Sequence, residues 1–324
     1  MERREVVSLT ILNAEPKGYS KEACKILSEV GNVIEEKVSQ ENLIKKIKKV
    51  DVLIVRIGFN INKNIIESSN RLKYIISATT GLDHIDIKAA KDNGIKIISL
   101  KGENQFLDSI HSTSELTFTL ILSLLRRINE ALDHVKLGGW NRDQLIGNNL
   151  SGNNLGILGL GRIGKHIAKY GEAFNCRTGS FDPIQNKWLR GVKKFGSIDS
   201  LFKWSNILCI HIPLNDSTKN LIDAKLLKQL PRGAIIINTS RGGVWDEKAV
   251  IDLLKCGHLG GVATDVIQAE RDKEKIKNSP MINYAKENKN MLITPHIGGA
   301  TKESMHMTEV FIAKKFIEAY RKTF

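Results

Sequence analysis

Cysteine is scarce in this chain, and its four copies, Cys24, Cys176, Cys209 and Cys256, lie far apart with no CxxC pair. That spacing excludes a disulfide framework and a structural zinc site, and it fits a reducing cytoplasm. No bound metal is expected. Long apolar runs are missing as well: the most apolar segment, LTFTLILSLL at 116–125, is too short to span a bilayer, so no membrane partner is expected. At the start, MERREVVSLTIL joins charge to a short apolar run, but Asn13, Glu15 and Pro16 interrupt it before it could serve as a signal peptide. No repeat period or low-complexity tract occurs. A cytoplasmic protein is expected.

What is present is a chain of 324 residues, 41% apolar and 26% charged, long enough for two domains that each bury a core. The formal net charge of +14 could attract nucleic acid, anionic lipid or acidic substrates. The lysines are scattered, however, and the densest cluster, KKIKK at 45–49, alternates with apolar residues as the solvated face of a helix does. Neither zinc-finger spacing nor an aromatic-interleaved basic stretch accompanies them, so no nucleic-acid partner is expected.

The first hundred residues alternate strand-like runs (VVSLTIL at 6–12, VDVLIVRI at 50–57, LKYIISAT at 72–79, IKIISL at 95–100) with helix-like segments such as KEACKILSEV and ENLIKKIKK. This alternation predicts a parallel α/β domain. A long helix is predicted from about Asp108 to Leu137, ended by Gly138–Gly139. Its middle is apolar nearly all round and needs cover on more than one side, by another domain or another subunit. A second α/β series follows: NLGILGLG at 154–161, CRTGSFD at 176–182, NILCIHI at 206–212, GAIIINTS at 233–240, GVATDV at 261–266 and MLITPH at 291–296. The tail from Thr301 to Phe324 reads as one amphipathic helix.

LGILGLGRIGKHIA at 155–168 places Gly159, Gly161 and Gly164 in a GxGxxG pattern between a strand and a helix, and the next strand ends at Asp182. In a dinucleotide site Gly159 permits the tight turn, Gly161 lets the backbone approach the pyrophosphate, and Gly164 lets helix and strand pack closely. Asp182 would bind the adenosine ribose hydroxyls and repel a 2′-phosphate, which favours NAD over NADP.

Ligands of an open parallel sheet gather outside the carboxyl ends of its strands. Three polar residues qualify there. Arg241 follows GAIIINTS and can offer its planar fork to a carboxylate. Glu270 follows GVATDV, and His296, in TPHIGGAT, ends the last strand. A carboxylate against His296 would orient the ring and support its proton. Arginine for the substrate, histidine for the proton and NAD for the hydride make a dehydrogenase acting on a 2-hydroxy acid.

These motifs, GILGLGRIGK, INTSRGG with Asp246, GVATDVIQAE, ITPHIGGAT and, upstream, TTGLDHIDIKAAKDNGIKI, resemble those of the D-isomer-specific 2-hydroxyacid dehydrogenase family in order and approximate spacing. The resemblance implies two Rossmann-like or flavodoxin-like parallel-sheet domains with a cleft between them, residues 1–103 with 297–324 forming a discontinuous substrate domain and residues 104–296 the NAD-binding domain. It implies catalysis by Arg241, Glu270 and His296, substrate contacts from Arg56, Thr80, Gly81 and Arg241, and cofactor contacts from Arg162, Ile163, Asp182, His211, Pro213, Thr218, Thr239 and Asp265 beside the three glycines. It also implies a small 2-hydroxy or 2-keto acid as substrate and a homodimer.

Departures leave the substrate open. Arg271 stands where the family usually has proline after the glutamate, and Arg56-Ile57-Gly58-Phe59 replaces an RSxT loop, losing hydroxyls expected near the substrate. The narrower alternative is a D-3-phosphoglycerate dehydrogenase. An alternative of another class is a corepressor-like protein that binds NAD without turnover.

Overall fold

The computed structural model describes residues 8–323, so the first two positions of the strand expected at 6–12 and the last residue of the tail helix lie outside the described residues. The chain forms two units, one of 1–107 with 301–324 and one of 108–300.

In the first unit the strands are β1 (Leu9–Asn13), β2 (Gly31–Glu35), β3 (Val52–Ile54), β4 (Tyr74–Ser77) and β5 (Lys96–Ser99). They form one parallel sheet in the order β2-β1-β3-β4-β5. β3 and β4 are buried at every residue, as strands covered by helices on both faces must be. The chain returns to this unit with the helix Lys302–Arg321, whose Ile312, Ala313, Phe316, Ile317 and Tyr320 are buried. The Phe316 ring meets Tyr74 edge-on at 5.2 Å.

The second unit contributes β6 (Asn154–Leu158), β7 (Arg177–Phe181), β8 (Lys193–Lys194), β9 (Ile207–Ile210), β10 (Ala234–Asn238), β11 (Leu259–Thr264) and β12 (Met291–Ile293). Their order is β12-β11-β10-β9-β6-β7-β8, again wholly parallel. One face of this sheet packs on Phe118, Leu120, Ile121 and Leu125 of the helix Ser112–Leu125.

The long helix expected over 108–137 is broken in two. Ser112–Leu125 ends at Arg126, and Ile128–Lys136 begins after Arg127, which sits in the left-handed region at φ 50°. The break is held by the Arg127 guanidinium, which donates to both Glu130 oxygens at 2.9 and 2.6 Å and to the Gln144 carbonyl at 2.7 Å. The apolar surface left uncovered is also displaced from its expected place. It lies not at 116–125 but on Ile128, Leu132, Val135, Leu137, Trp140 and Ile146, with Trp140 90% exposed.

Among the described residues no helix is long and apolar enough to cross a membrane, and no group of three or more His, Cys, Asp or Glu could hold a metal ion.

Candidate active site

The second sheet starts in its middle. From β6 the chain builds β7 and β8 on one side and then crosses to β9 on the other, so its direction of growth reverses between β6 and β9. Leu158 and Ile210, the last residues of these strands, are in register. Gly159 and His211 follow them, and a crevice at such a reversal is where a nucleotide binds.

Gly159 has φ 94°, and a Cβ there would meet the His211 carbonyl oxygen at 2.7 Å. A Cβ on Gly164 would drive into the Gly159 carbonyl oxygen, whereas Gly161 has open space before it. The helix Arg162–Ala173 begins at Gly161 with no side chain capping it, leaving its first N–H groups turned outward. Asp182, just past β7, ties the turn down: Oδ2 accepts from the Leu160 N–H at 2.8 Å, and Oδ1 from the N–H groups of Ile184 and Gln185 at 2.9 and 3.0 Å.

Arg162 donates Nη1 to the Ile110 carbonyl at 2.7 Å, and Ile163 is half-buried beside it. Thr218 closes the loop after β9, donating to the Pro213 carbonyl at 2.6 Å. Thr239 is buried, with its hydroxyl 2.8 Å from that of Thr117. Both ring nitrogens of His211 are buried without a partner, and burial pushes this ring down to about 3, so it is neutral.

The other cluster lies on three neighbouring strands. Asn238, Thr264 and Ile293 stand in one line across β10, β11 and β12. Arg241 comes three residues beyond that line, Glu270 six and His296 three. His296 Nδ1 is 2.8 Å from Glu270 Oε1, with side chains 20% and 19% exposed.

The backbone is strained at His296 and at the residue before Glu270. His296 has φ 55° and so does Ala269, next to Glu270, a conformation that costs on the order of 1–3 kcal/mol per residue unless the surroundings impose it. They do impose it. The His296 N–H donates to the Asp265 carbonyl at 2.9 Å, and the buried Asp265 carboxylate accepts from Thr294 Oγ1 at 2.6 Å and from the N–H groups of Ile297 and Gly298 at 2.8 and 2.7 Å.

Arg241 is shaped by its own loop. Asn238 Oδ1 accepts from the Ser240 N–H and hydroxyl, and Asn238 Nδ2 donates to the Arg241 carbonyl at 3.0 Å. The guanidinium Nη1 donates to the Ser240 carbonyl at 2.8 Å. A side chain on Gly242 would strike the backbone of Ile267 and Gln268, so this glycine lets the arginine loop lie against the loop that leads to Glu270.

Arg56, Thr80 and Gly81 belong to the first unit, after β3 and β4. Thr80 is exposed, and the Gly81 carbonyl accepts from the Thr79 hydroxyl at 2.9 Å. Arg56 is committed to Glu309, its Nε lying 3.0 Å from Oε1.

Sequence reasoning missed the clamp formed by Asp265 and the turn formed by Asn238. The available signal was a carboxylate and an amide at the ends of largely buried strands, where polar groups must find partners.

A model of the D-isomer specific 2-hydroxyacid dehydrogenase NAD-binding domain matches residues 118–298, more than half of the chain. The D-3-phosphoglycerate dehydrogenase of Methanocaldococcus jannaschii is 34% identical over 93% of this chain and 56% of its own length. The hydroxypyruvate reductase of Thermotoga maritima is 33% identical over 92% of this chain and 94% of its own. The chain belongs to the D-isomer specific 2-hydroxyacid dehydrogenases.

It spans about half the length of the D-3-phosphoglycerate dehydrogenases it matches. Among solved structures, the TT0316 protein from Thermus thermophilus is 27% identical with TM-score 0.83, covering 95% of this chain and 96% of that one. D-lactate dehydrogenase from Aquifex aeolicus, complexed with NAD and lactic acid, is 25% identical with TM-score 0.81, covering 96% of each.

The family is one of NAD-linked oxidoreductases, and NAD is the cofactor here. The residues present fit it: Gly161, with open space before it, and the uncapped helix start would hold the pyrophosphate, Asp182 would offer its carboxylate to the ribose at the end of β7, and the buried His211 nitrogens lack a partner.

Proposed function

We propose that the protein is an NAD-dependent dehydrogenase interconverting a D-2-hydroxy acid and its 2-keto acid, with His296 as the acid and base. The observation that carries this reading is the 2.8 Å contact of His296 Nδ1 with Glu270 Oε1 at the carboxyl edge of the second sheet. With Nδ1–H donating to the carboxylate, Nε2 is the atom left for the substrate. It gives a proton to the carbonyl oxygen in reduction and takes one from the hydroxyl in oxidation. Arg241 binds the substrate carboxylate and polarises the carbonyl. Bound NAD supplies or accepts the hydride. The first unit recognises the remainder of the substrate, from the loops after β3 and β4.

Two substrate readings have support among the relatives: hydroxypyruvate or a similar small keto acid, and the phosphorylated acid of D-3-phosphoglycerate dehydrogenases. A cytoplasmic location belongs to the same reading, supported by the four separated cysteines. So does a homodimer, supported by the uncovered apolar stripe Ile128, Leu132, Val135 and Trp140, since monomers rarely expose such a patch. Light scattering of the wild type and of Leu132→Glu tests the dimer.

The activity is tested by loss of NADH absorbance with glyoxylate, pyruvate, hydroxypyruvate and its 3-phosphate, with His296→Ala as control. Turnover that falls about 100-fold or more in the control, with NADH binding kept, supports the reading. Equal turnover in the control removes His296 from the chemistry.

A further inference from the structure

In the first unit the chain pairs β1 with β2 on one side and then crosses to β3 on the other, so the reversal that attracts ligands in an open parallel sheet lies between β1 and β3. This chain fills that place with its own charge. Glu15 comes two residues after β1, and Arg56 two residues after β3. The Glu15 carboxylate accepts the Arg56 backbone N–H at 2.5 Å, and a Cβ on Gly58 would lie 2.6 Å from Glu15 Oε1. The loop after β3 is thus wrapped onto an internal carboxylate.

The Arg56 side chain is engaged in the same way, through three of its five N–H donors. Nε and Nη2 both point at Glu309 Oε1, at 3.0 and 2.5 Å, and Nη1 donates to the Lys17 carbonyl at 3.0 Å. The other Glu309 oxygen accepts the Ser20 N–H at 2.7 Å, and the Tyr19 ring flanks the guanidinium at 5.5 Å. Glu309 is 1% exposed and the Arg56 side chain is half-buried, so removing the arginine would leave a buried carboxylate without its counter-charge, a costly change. Burial is the larger influence on both glutamates and raises them on balance, while Arg56 pulls the other way. Each Glu309 oxygen receives an N–H donor, which suits the ionised form.

Backbone N–H groups and an arginine fork beyond a strand are what a sheet edge uses to hold a phosphate or second carboxylate. Here the Arg56 backbone N–H, Nε and Nη2 already meet carboxylates, and two glutamates against one arginine leave the cluster net negative. The fully buried polar atoms of the cluster that lack a partner, Asn13 Nδ2 and the Tyr19 hydroxyl, are uncharged.

We propose that Glu15 and Glu309 determine specificity: by engaging Arg56 and the loop after β3 and setting two carboxylates there, they close the first unit to a second anionic group. The substrate is then a 2-hydroxy acid whose only negative charge is its reacting carboxylate, not a phosphorylated acid. This rests on the dehydrogenase reading above and on the first unit's part in recognising the substrate.

The test measures kcat/KM with NADH for hydroxypyruvate and for its 3-phosphate, in the wild type, Glu309→Gln and Glu15→Gln. The wild type should use the phosphate at least about tenfold less well, as like charges brought together demand. Either variant should move the ratio toward the phosphate by about tenfold as donors are released, and Glu15→Gln decides the matter where the buried Glu309→Gln does not fold. A wild type that prefers the phosphate overturns the proposal while the dehydrogenase reading stands, and so does a ratio that neither variant moves. A protein that binds NADH yet reduces no keto acid overturns the dehydrogenase reading itself, and the proposal falls with it.

Discussion

Gly298 donates its N–H to Asp265 Oδ2 at 2.7 Å, and a Cβ placed on that glycine would lie 3.1 Å from the same oxygen. With Ile297 and Thr294 on Oδ1, the carboxylate braces the chain on both sides of His296. An amide has only one acceptor oxygen, so in Asp265→Asn at least one N–H must face an NH2 group. The expected loss is about 1–3 kcal/mol of stability, and a looser His296 should lower kcat by about tenfold or more. Thermal melting and turnover check this; a variant unchanged in both would show that the brace is not needed.

Arg241 offers a fork that lysine cannot reproduce. Arg241→Lys should raise the KM for the keto acid by about tenfold or more while leaving the NADH dissociation constant near its wild-type value. An unchanged KM would remove carboxylate binding from this side chain.

Asp182 spends its oxygens on three backbone N–H groups and still presents a fixed negative charge at the end of β7. Asp182→Ala should weaken NADH binding, because the glycine turn loses its tie. It should also narrow the preference for NADH over NADPH, because the repulsion of a 2′-phosphate goes with the charge. A preference that stays as wide would contradict the role given to this carboxylate.

His211 gives a pH dependence of known sign. Its folded value of about 3 lies below the unfolded value near 6.5, so between them the unfolded chain binds more protons than the folded one. Its contribution to stability is full above about pH 6.5 and is lost as the pH falls toward 3, by at most about 1.4 kcal/mol per pH unit. Burial lowers His166 too, which adds a background slope of the same sign. The Tm of cofactor-free protein should therefore drop between pH 6.5 and 4.5, and less steeply in His211→Gln. Parallel curves would place the sensitivity elsewhere.

Much of the fold was legible because β9 and β10 are continuous apolar runs that only a doubly covered parallel strand tolerates, and because the glycines at 159, 161 and 164 announce a turn into a helix. His296 and Glu270 were legible as polar residues beyond such strands. The helix break was not, because Arg126 and Arg127 are good helix formers and the Gln144 carbonyl that holds the turn lies 17 residues away. Nor was the engagement of Arg56, whose partner Glu309 is 253 residues distant and announces itself in the sequence only as one more helical glutamate.

Arg241, Glu270 and His296 stand three, six and three residues above a common line on three adjacent strands. The strands act as a fixed ruler, but the spans above it are joined: Asp265, at the foot of the span to Glu270, holds the backbone on both sides of His296, and Gly242 lies against Ile267 and Gln268 of the same span. The six-residue span that ends at Glu270 is the longest, and it runs straight into Arg271 where relatives in the family usually carry proline. A change of length in that span would therefore be felt at its neighbours, and the three positions move together rather than one at a time.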